Sequence, residues 1–351
     1  MNILKIILLF PFTTIYGTII FLRNRFYDWN IFKFHEFKTL TISVGNLSVG
    51  GTGKTPHVEY LIQLLSNNYK VSTLSRGYKR KTSGFIIVND SHNATDVGDE
   101  PLQYYKKFKP IIVSVDEKRV NGIQNLEKNN PEIDLILLDD AFQHRSVKPG
   151  KSILITEYNN LYINDLLLPA GRLREWKCGA KRANIIIVSK CPINSSSEDQ
   201  EKVIQLLKLK PYQKVLFSFI KYGTPLPFMD NQRKLISNET TVLAFTGIGN
   251  FKPLLNHLKE SYNLVKHISF TDHYQYTTED VLNIKSQFNK IRADNKIIIT
   301  TEKDIMRLYL PELKNELKDI PVFYIPITID FLGNGKEEFD KEILDYVRAN
   351  S

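Results

Sequence analysis

One stretch limits what this chain can become. Residues 38–60 begin with a run that is apolar and β-branched through Val44, the pattern of a buried strand. Gly45-Asn-Leu-Ser-Val-Gly-Gly-Thr-Gly-Lys-Thr55 follows, and Pro56 sits in the first turn of an expected helix, where the N–H it lacks has no intrahelical partner. Strand, glycine loop, Gly-Lys-Thr and helix make up a phosphate-binding loop (P-loop). Glycines let backbone N–H groups converge on phosphate oxygens, and the helix N-terminus adds a favourable dipole. The residues expected around a nucleotide are Ser48, Val49, Gly50, Gly51, Thr52, Gly53, Lys54 and Thr55. Lys54 would reach the β and γ phosphates, and the Thr55 hydroxyl would hold Mg²⁺. Ser48 stands where the strict pattern has glycine, while Gly45, Gly50 and Gly51 keep the loop permissive. The competing reading is a glycine-rich turn that binds nothing.

Apolar runs recur at 70–74, 84–88, 111–115, 135–138, 152–156, 185–189 and 215–219, separated by loop or helical stretches. Helices are expected from residue 98 to about 108 and over 117–128, and 89–98 reads as a polar loop. Alternating β and α with continuous apolar strands predicts an α/β fold, a parallel sheet with helices on both faces. Ligands of such sheets collect at the carboxyl ends of the strands. Residues 221–240 are polar, contain Pro225 and Pro227 and lack periodicity, so a domain boundary is placed there. A second, smaller βα series follows at 242–245, 264–270, 296–300 and 322–325, and a last helix at 337–347 is expected to pack back on the first unit. The expected division is 1–28, 29–225, 226–334 and 335–351: membrane-associating helix, P-loop core, smaller α/β domain and C-terminal helix.

A length of 351 residues suits two domains. The net charge of +9, from 47 basic and 38 acidic residues, suits an anionic partner: nucleotide, membrane surface, phosphorylated substrate or nucleic acid. Cys178 and Cys191 lack metal-ligand spacing, which indicates a reducing compartment and no disulfide framework. Residues 3–22 are nearly all apolar, and Arg23, Arg25, Phe26, Tyr27 and Trp29 follow at once. No small-residue cleavage site follows, which argues against a removed signal peptide. About 20 apolar residues just suffice to cross a bilayer. A helix lying in the interface fits equally well, and a buried helix of a soluble fold is the third reading. Either membrane reading leaves the rest of the chain on the cytoplasmic side.

Other stretches carry chemistry. Leu135-Ile-Leu-Leu-Asp139 is a strand ending in an acid that would face the P-loop and bind Mg²⁺, with Asp140 either a second ligand or a solvated neighbour. Asp99 follows Gly98 at a helix start and reads equally as an N-cap or a functional acid. His273, taken alone, reads as a surface or capping histidine. Arg172, Arg174 and Glu175 share a turn that either clamps phosphate or forms a solvated ion-paired loop. Thr301-Glu-Lys-Asp304 reads as a helix cap with first-turn acids. Ser189-Lys-Cys-Pro192 is similar to a guanine-reading motif, but Pro192 replaces its essential Asp, so GTP is not expected.

Together these stretches are far more specific. The order Gly45–Pro56, Ser75-Arg-Gly-Tyr78, Val97-Gly-Asp-Glu-Pro101, Leu138-Asp-Asp-Ala-Phe-Gln-His-Arg145, Leu168-Pro-Ala-Gly-Arg-Leu-Arg-Glu175, Ser189-Lys-Cys-Pro192 and Thr301-Glu-Lys-Asp304 resembles the tetraacyldisaccharide 4′-kinase (lipid A 4′-kinase) family. The resemblance runs from the apolar N-terminus to about residue 330. It implies an ATP- and Mg²⁺-dependent kinase with two α/β/α domains joined by a hinge, the active site lying between them. The acceptor implied is the 4′-hydroxyl of a lipid A disaccharide precursor. The place implied is the cytoplasmic face of the inner membrane. Neither a nucleic-acid partner nor an obligate protein partner is implied. By motif, Asp99 matches the family's proposed base and His273 its assistant. Asp139, Asp140 and Glu175 match acids around Mg²⁺, and Arg174 a residue near the phosphates. The basic loop at 76–81 suits a substrate carrying a 1-phosphate.

Overall fold

The computed structural model describes residues 3–229, 232 and 234–350. Residues 1 and 2 of the expected N-terminal segment, 230, 231 and 233 of the expected second domain, and Ser351 lie outside the described residues. The chain opens with α1 (Ile3–Asp28), β1 (Leu40–Asn46), α2 (Lys54–Leu65), β2 (Val71–Ser75) and β3 (Ile86–Ile87). Then come α3 (Ala94–Val97), α4 (Asp99–Lys107), β4 (Ile112–Val115), α5 (Arg119–Asn129), β5 (Leu135–Asp139) and β6 (Lys151–Glu157). Next are β7 (Ile185–Ser189), α6 (Ser197–Leu207), β8 (Lys214–Tyr222), β9 (Leu226–Pro227), β10 (Thr241–Thr246), α7 (Lys252–Ser261) and β11 (Asn263–Ser269). The chain closes with α8 (Thr278–Asn289), β12 (Lys296–Thr301), α9 (Glu302–Arg307), α10 (Pro311–Leu317), β13 (Val322–Ile325), β14 (Ile327–Phe331) and α11 (Gly335–Asn350).

Two sheets result. The larger runs β14-β8-β7-β6-β1-β5-β2-β4-β3, and the smaller runs β11-β10-β12-β13-β9. From β8 to β4 every pairing in the larger sheet is parallel, as the unbroken apolar runs require. β5 and β7 are buried along their whole length. β1 lies between β5 and β6, with Val44 beside Asp139 and Asn46 beside Ile155, so the P-loop and the acid that ends β5 emerge side by side.

The structure departs from the sequence reading at the edges. Residues 327–331, expected in the second domain, form β14 and pair antiparallel with β8 of the larger sheet. Ile329 and Phe331 are buried, whereas Thr328 is exposed. An edge strand wetted on one side lacks the continuous apolar run that marked the others. The polar segment read as a linker supplies β9, which pairs with β13. Where the chain passes between the sheets in both directions, the Gly223 N–H donates to the Pro326 carbonyl at 2.8 Å. The expected loop at 89–98 contains α3, started by an Asn93–Asp96 capping box. The strand expected at 84–88 shrinks to Ile86–Ile87.

α11 is longer than the 337–347 expected and buries Phe339, Ile343 and Val347. The Phe339 ring lies 5.0 Å from that of Phe331 and 5.8 Å from that of Tyr60 on α2. Phe339→Ala is expected to lower the unfolding free energy by about 3–5 kcal/mol, the usual cost of emptying a buried aromatic site. An earlier urea midpoint would report it. Leu235→Ala, at a side chain 91% exposed, should leave the midpoint where it was.

Candidate active site

The P-loop owes its shape to two left-handed glycines, Gly50 at φ +110° and Gly53 at φ +89°. Ser48 has no such requirement. It is buried and bridges Leu173 in an isolated β-type pair, which explains why serine serves where the strict pattern has glycine. The loop is braced from behind. Asn46 Nδ2 donates to Thr52 Oγ1 at 2.9 Å, Ser189 Oγ to the Thr52 carbonyl at 2.7 Å, and Lys190 Nζ to the Gly51 carbonyl at 2.5 Å. Ser189-Lys190, read from sequence only as an incomplete base-reading motif, therefore buttresses the P-loop. Burial pushes the His57 imidazole down to about 4, so it is neutral. Its Nδ1–H donates to the Gly53 carbonyl at 2.7 Å, and Nε2 accepts from Ser218 at 2.9 Å.

Lys54 and Thr55 begin α2. Lys54 Nζ lies 3.4 Å from Asn46 Oδ1 and 3.7 Å from Asp140. Arg174 completes this group. Its guanidinium donates to both Asp140 oxygens, at 3.0 and 2.7 Å, and to the carbonyl and side-chain oxygens of Asn46. Asp140 is turned toward these cations by a backbone at φ +48°. Burial opposes its ionisation, but Lys54 and Arg174 outweigh burial and hold the carboxyl well below the usual range.

Asp139 has the opposite character. It is buried, its Oδ2 accepts from Tyr104 OH at 3.0 Å, and its Oδ1 is buried without a hydrogen-bond partner. Burial, with the charges of Asp140 and Glu100, pushes its carboxyl up to about 6 despite Lys54. A buried, unpartnered oxygen at the end of β5, alongside the strand that leads into the P-loop, suits a divalent cation. Glu175 is committed elsewhere: it accepts from Arg182 at 2.7 Å, Gln143 at 3.0 Å and Asn24 at 3.2 Å. The expected acids thus divide, with Asp139 and Asp140 at the P-loop and Glu175 in the wall behind. Among the described residues, no group of three or more His, Cys, Asp or Glu side chains is arranged to hold a metal ion by itself.

The second half of the site converges on Asp99. The N-cap position of α4 belongs to Gly98, at φ +95°, which corrects the capping reading of Asp99. The Asp99 Oδ2 instead accepts from His273 Nδ1 at 3.0 Å and from Arg307 Nε and a terminal nitrogen at 2.9 and 2.5 Å. Burial would raise this carboxyl, but the bonds from His273 and Arg307 and the Arg307 charge prevail and hold it at about 2. His273 is carried at φ +56°, its backbone N–H donating to the Gly247 carbonyl at 3.0 Å. Arg307 is fully buried and also bonds Asp304 at 2.9 Å and the Gly247 carbonyl at 3.1 Å. The Thr301 hydroxyl does cap α9. The same short helix delivers Arg307, which sequence reading missed.

Alongside, Lys303 pairs with Glu100 at 2.5 Å, and Lys107 joins Glu59 at 2.8 Å to Glu302 at 2.9 Å, so ion pairs tie α4 to α9. The basic loop at 76–81 lies against the start of α4. A Cβ on Gly77 would come within 2.7 Å of the Val97 carbonyl oxygen, and one on Gly98 within 3.2 Å of the Gly77 backbone. This close approach presents Tyr78, 57% exposed, with its ring 5.2 Å from that of His273. Arg76 and Lys79 are exposed beside it.

Comparison with known proteins adds a second line. A sequence model of the family described as tetraacyldisaccharide-1-P 4′-kinase matches residues 5–348. The tetraacyldisaccharide 4′-kinase of Bacteroides thetaiotaomicron is 42% identical over 356 residues, covering 98% of this chain and 93% of that protein. The one from Flavobacterium psychrophilum is 46% identical over 349 residues, covering 98% and 97%. Among solved structures, the "apo" form of LpxK from Aquifex aeolicus in complex with ATP is similar at a TM-score of 0.75 and 28% identity, covering 97% of this chain and 98% of that one.

Arg307 makes a measurable prediction about Asp99. A depressed carboxyl stays ionised, and contributes its pairing to stability, above the unfolded value, and loses both as pH falls through about 2. In the native protein Asp99 should therefore cause no acid-side fall in kcat/KM above about pH 4. Arg307→Gln removes the guanidinium's charge and its hydrogen bonds and leaves burial, which raises the carboxyl, opposed by His273. The acid limb of the pH–kcat/KM profile should move upward by one unit or more, roughly the scale of losing a close buried charge partner.

Proposed function

The chain belongs to the tetraacyldisaccharide 4′-kinase family, and we propose that it transfers phosphate between the two halves of the site just described. It is a kinase of lipid A biosynthesis, with ATP as donor and the 4′-hydroxyl of the tetraacyldisaccharide 1-phosphate precursor as acceptor. The observation that carries the mechanism is the meeting at Asp99 of His273 and Arg307 from the smaller unit, at the same strand ends that carry the P-loop.

In this reading Lys54 and Arg174 contact the nucleotide phosphates, with residues 48–55 as the cradle. Both cations are held by the Asp140–Asn46 group, so little reorganisation remains when charge develops on the transferred group. Asp99 is the proton acceptor. A sugar hydroxyl is a weak acid, and phosphoryl transfer is largely dissociative, so the proton moves late and a strongly acidic but fixed carboxylate serves. His273 and Arg307 hold one carboxylate oxygen, which aims the other, and Asp99 stays charged throughout the physiological range. Thr55, Asp139 and Asp140 would hold Mg²⁺, which when bound supplies positive charge at the phosphates. Glu175 lies behind them, bonded to Arg182, Gln143 and Asn24.

The acceptor fits the exposed rim. The Tyr78 ring offers a face to a pyranose beside His273, and Arg76 and Lys79 offer charge to a 1-phosphate. The membrane reading rests on α1. Leu4, Ile7, Leu8, Phe10, Phe12, Ile15 and Ile19 are 59–74% exposed. The helix is tied to the protein from Thr13 onward, so its free turns are fewer than the ~30 Å of hydrocarbon demands. That supports a helix dipping into the cytoplasmic face of the inner membrane rather than crossing it.

Two experiments test this. Asp99→Asn, assayed as ATP-dependent phosphorylation of detergent-dispersed precursor, should lower kcat by roughly 10²–10⁴-fold with ATP affinity nearly unchanged. His273→Ala should lose less, and the double variant less than the product of the two. Near-normal kcat in a folded Asp99→Asn enzyme would leave the base unassigned. Separately, chelation should abolish turnover, and Asp139→Asn should raise the Mg²⁺ concentration giving half-maximal rate at least about tenfold, the scale of losing one ligand contact to a cation.

A further inference from the structure

α1 does more than present apolar surface. Its face opposite the exposed side chains is seated on the segment between β6 and β7. Gly17 is the point of closest approach: a Cβ there would lie 2.8 Å from Leu167 and 2.9 Å from Trp176, and Trp176 Nε1 donates to the Gly17 carbonyl at 2.8 Å. Tyr16 OH donates to the Arg174 carbonyl at 2.7 Å. Asn24 Nδ2 donates to Glu175 at 3.2 Å, and Arg23 donates to the Gln143 carbonyl at 2.9 Å.

The segments that receive these bonds hold the P-loop on their other side. The Arg174 N–H donates to the Leu47 carbonyl and the Val49 N–H to the Arg172 carbonyl, both at 2.7 Å. Gln143 Nε2 donates to the Asn46 carbonyl at 2.8 Å. The Arg174 guanidinium then spans Asp140 and Asn46. One layer of residues therefore separates the apolar helix from the P-loop. A simple tether needs apolar area and a linker. Directed donors from a membrane-facing helix to the residues that carry Arg174 and Glu175 need another reason.

We propose that α1 is a positioning element of the nucleotide site, in which Tyr16 and Asn24 hold the 172–176 segment so that Arg174 stays registered against Asp140 and the P-loop. The inference rests on the reading that Arg174 acts at the phosphates. It joins the surface that meets the lipid to the half of the site that meets ATP: displacement of the helix releases Arg174 even when the P-loop is intact.

The test uses the full-length protein in phospholipid–detergent mixed micelles, with Tyr16→Phe, Asn24→Ala, their combination, and each of these in an Arg174→Ala background. Tyr16→Phe removes a single oxygen, so it keeps the packing of α1. The combined variant should lose about five- to twentyfold in kcat/KM for ATP, the scale of two hydrogen bonds. Its KM for the lipid acceptor and its membrane-bound fraction should stay unchanged. In the Arg174→Ala background the same substitutions should cost nothing further, because their effect runs through the missing guanidinium. Unchanged ATP kinetics, a loss that tracks release from membranes, or full additivity with Arg174→Ala would each reduce α1 to an anchor. Wild-type ATP kinetics in Arg174→Ala alone would overturn the underlying reading of Arg174, and the inference with it, an outcome visible before any helix substitution is made.

Discussion

A guanidinium without access to water sets the terms for this molecule. Arg307 is fully buried, and its charge is balanced by Asp304 on its own helix and by Asp99 from the larger unit. A buried charge is tolerated only when paired and hydrogen-bonded, and breaking such a pair costs about 3–5 kcal/mol. Each unit alone would leave part of that pairing unmade. The arrangement is therefore complete only when α4 and α9 lie together, which is also when His273 reaches Asp99. The ion pairs of Lys303 and Lys107 follow the same line of contact. The contact of His273 with Asp99 and the contact between the two units thus depend on one set of interactions.

The nucleotide half follows a different logic. Its backbone is shaped by glycines, and its side chains are held by layers of polar contacts. Ser189 and Lys190 brace the P-loop from β7, His57 ties α2 to Ser218 of β8, and Arg174 reaches in from the segment that supports α1. Asp139 and Asp140 differ in protonation tendency because burial and the charges of Asp140 and Glu100 raise the first, while Lys54 and Arg174 outweigh burial at the second. Neighbouring carboxylates made unlike by their surroundings are a common means of giving adjacent acids separate tasks.

Legibility in the sequence follows burial. Central strands carry their signal in every residue, so the apolar runs located β1, β2, β4, β5, β6, β7 and β8 to within a few positions. Edge strands do not. β14 has one wet face and follows Pro326 directly, so it read as the tail of the second unit. Asp99 at the first turn of a helix was ambiguous because local chemistry allows both an N-cap and a functional acid. Its partner Arg307 lies 208 positions away, and no local pattern marks it. Glu175 shows the converse: motif resemblance grouped it with the metal acids, while its own partners come from α1, the turn after β5 and Arg182.

By itself the sequence determined the strand–glycine loop–helix form of the P-loop, since Gly-Lys-Thr between a buried strand and a helix depends on neighbours in the chain. It also determined the parallel core, since uninterrupted β-branched runs have no other way to bury both faces. The ordered series of motifs carried the family. Only the tertiary structure decided which residues meet: Arg307 with Asp99, Tyr78 with His273, and Tyr16 with the backbone of Arg174. Periodicity records how often a residue faces the core. It holds no record of partners brought together by two sheets and a helix from opposite ends of the chain.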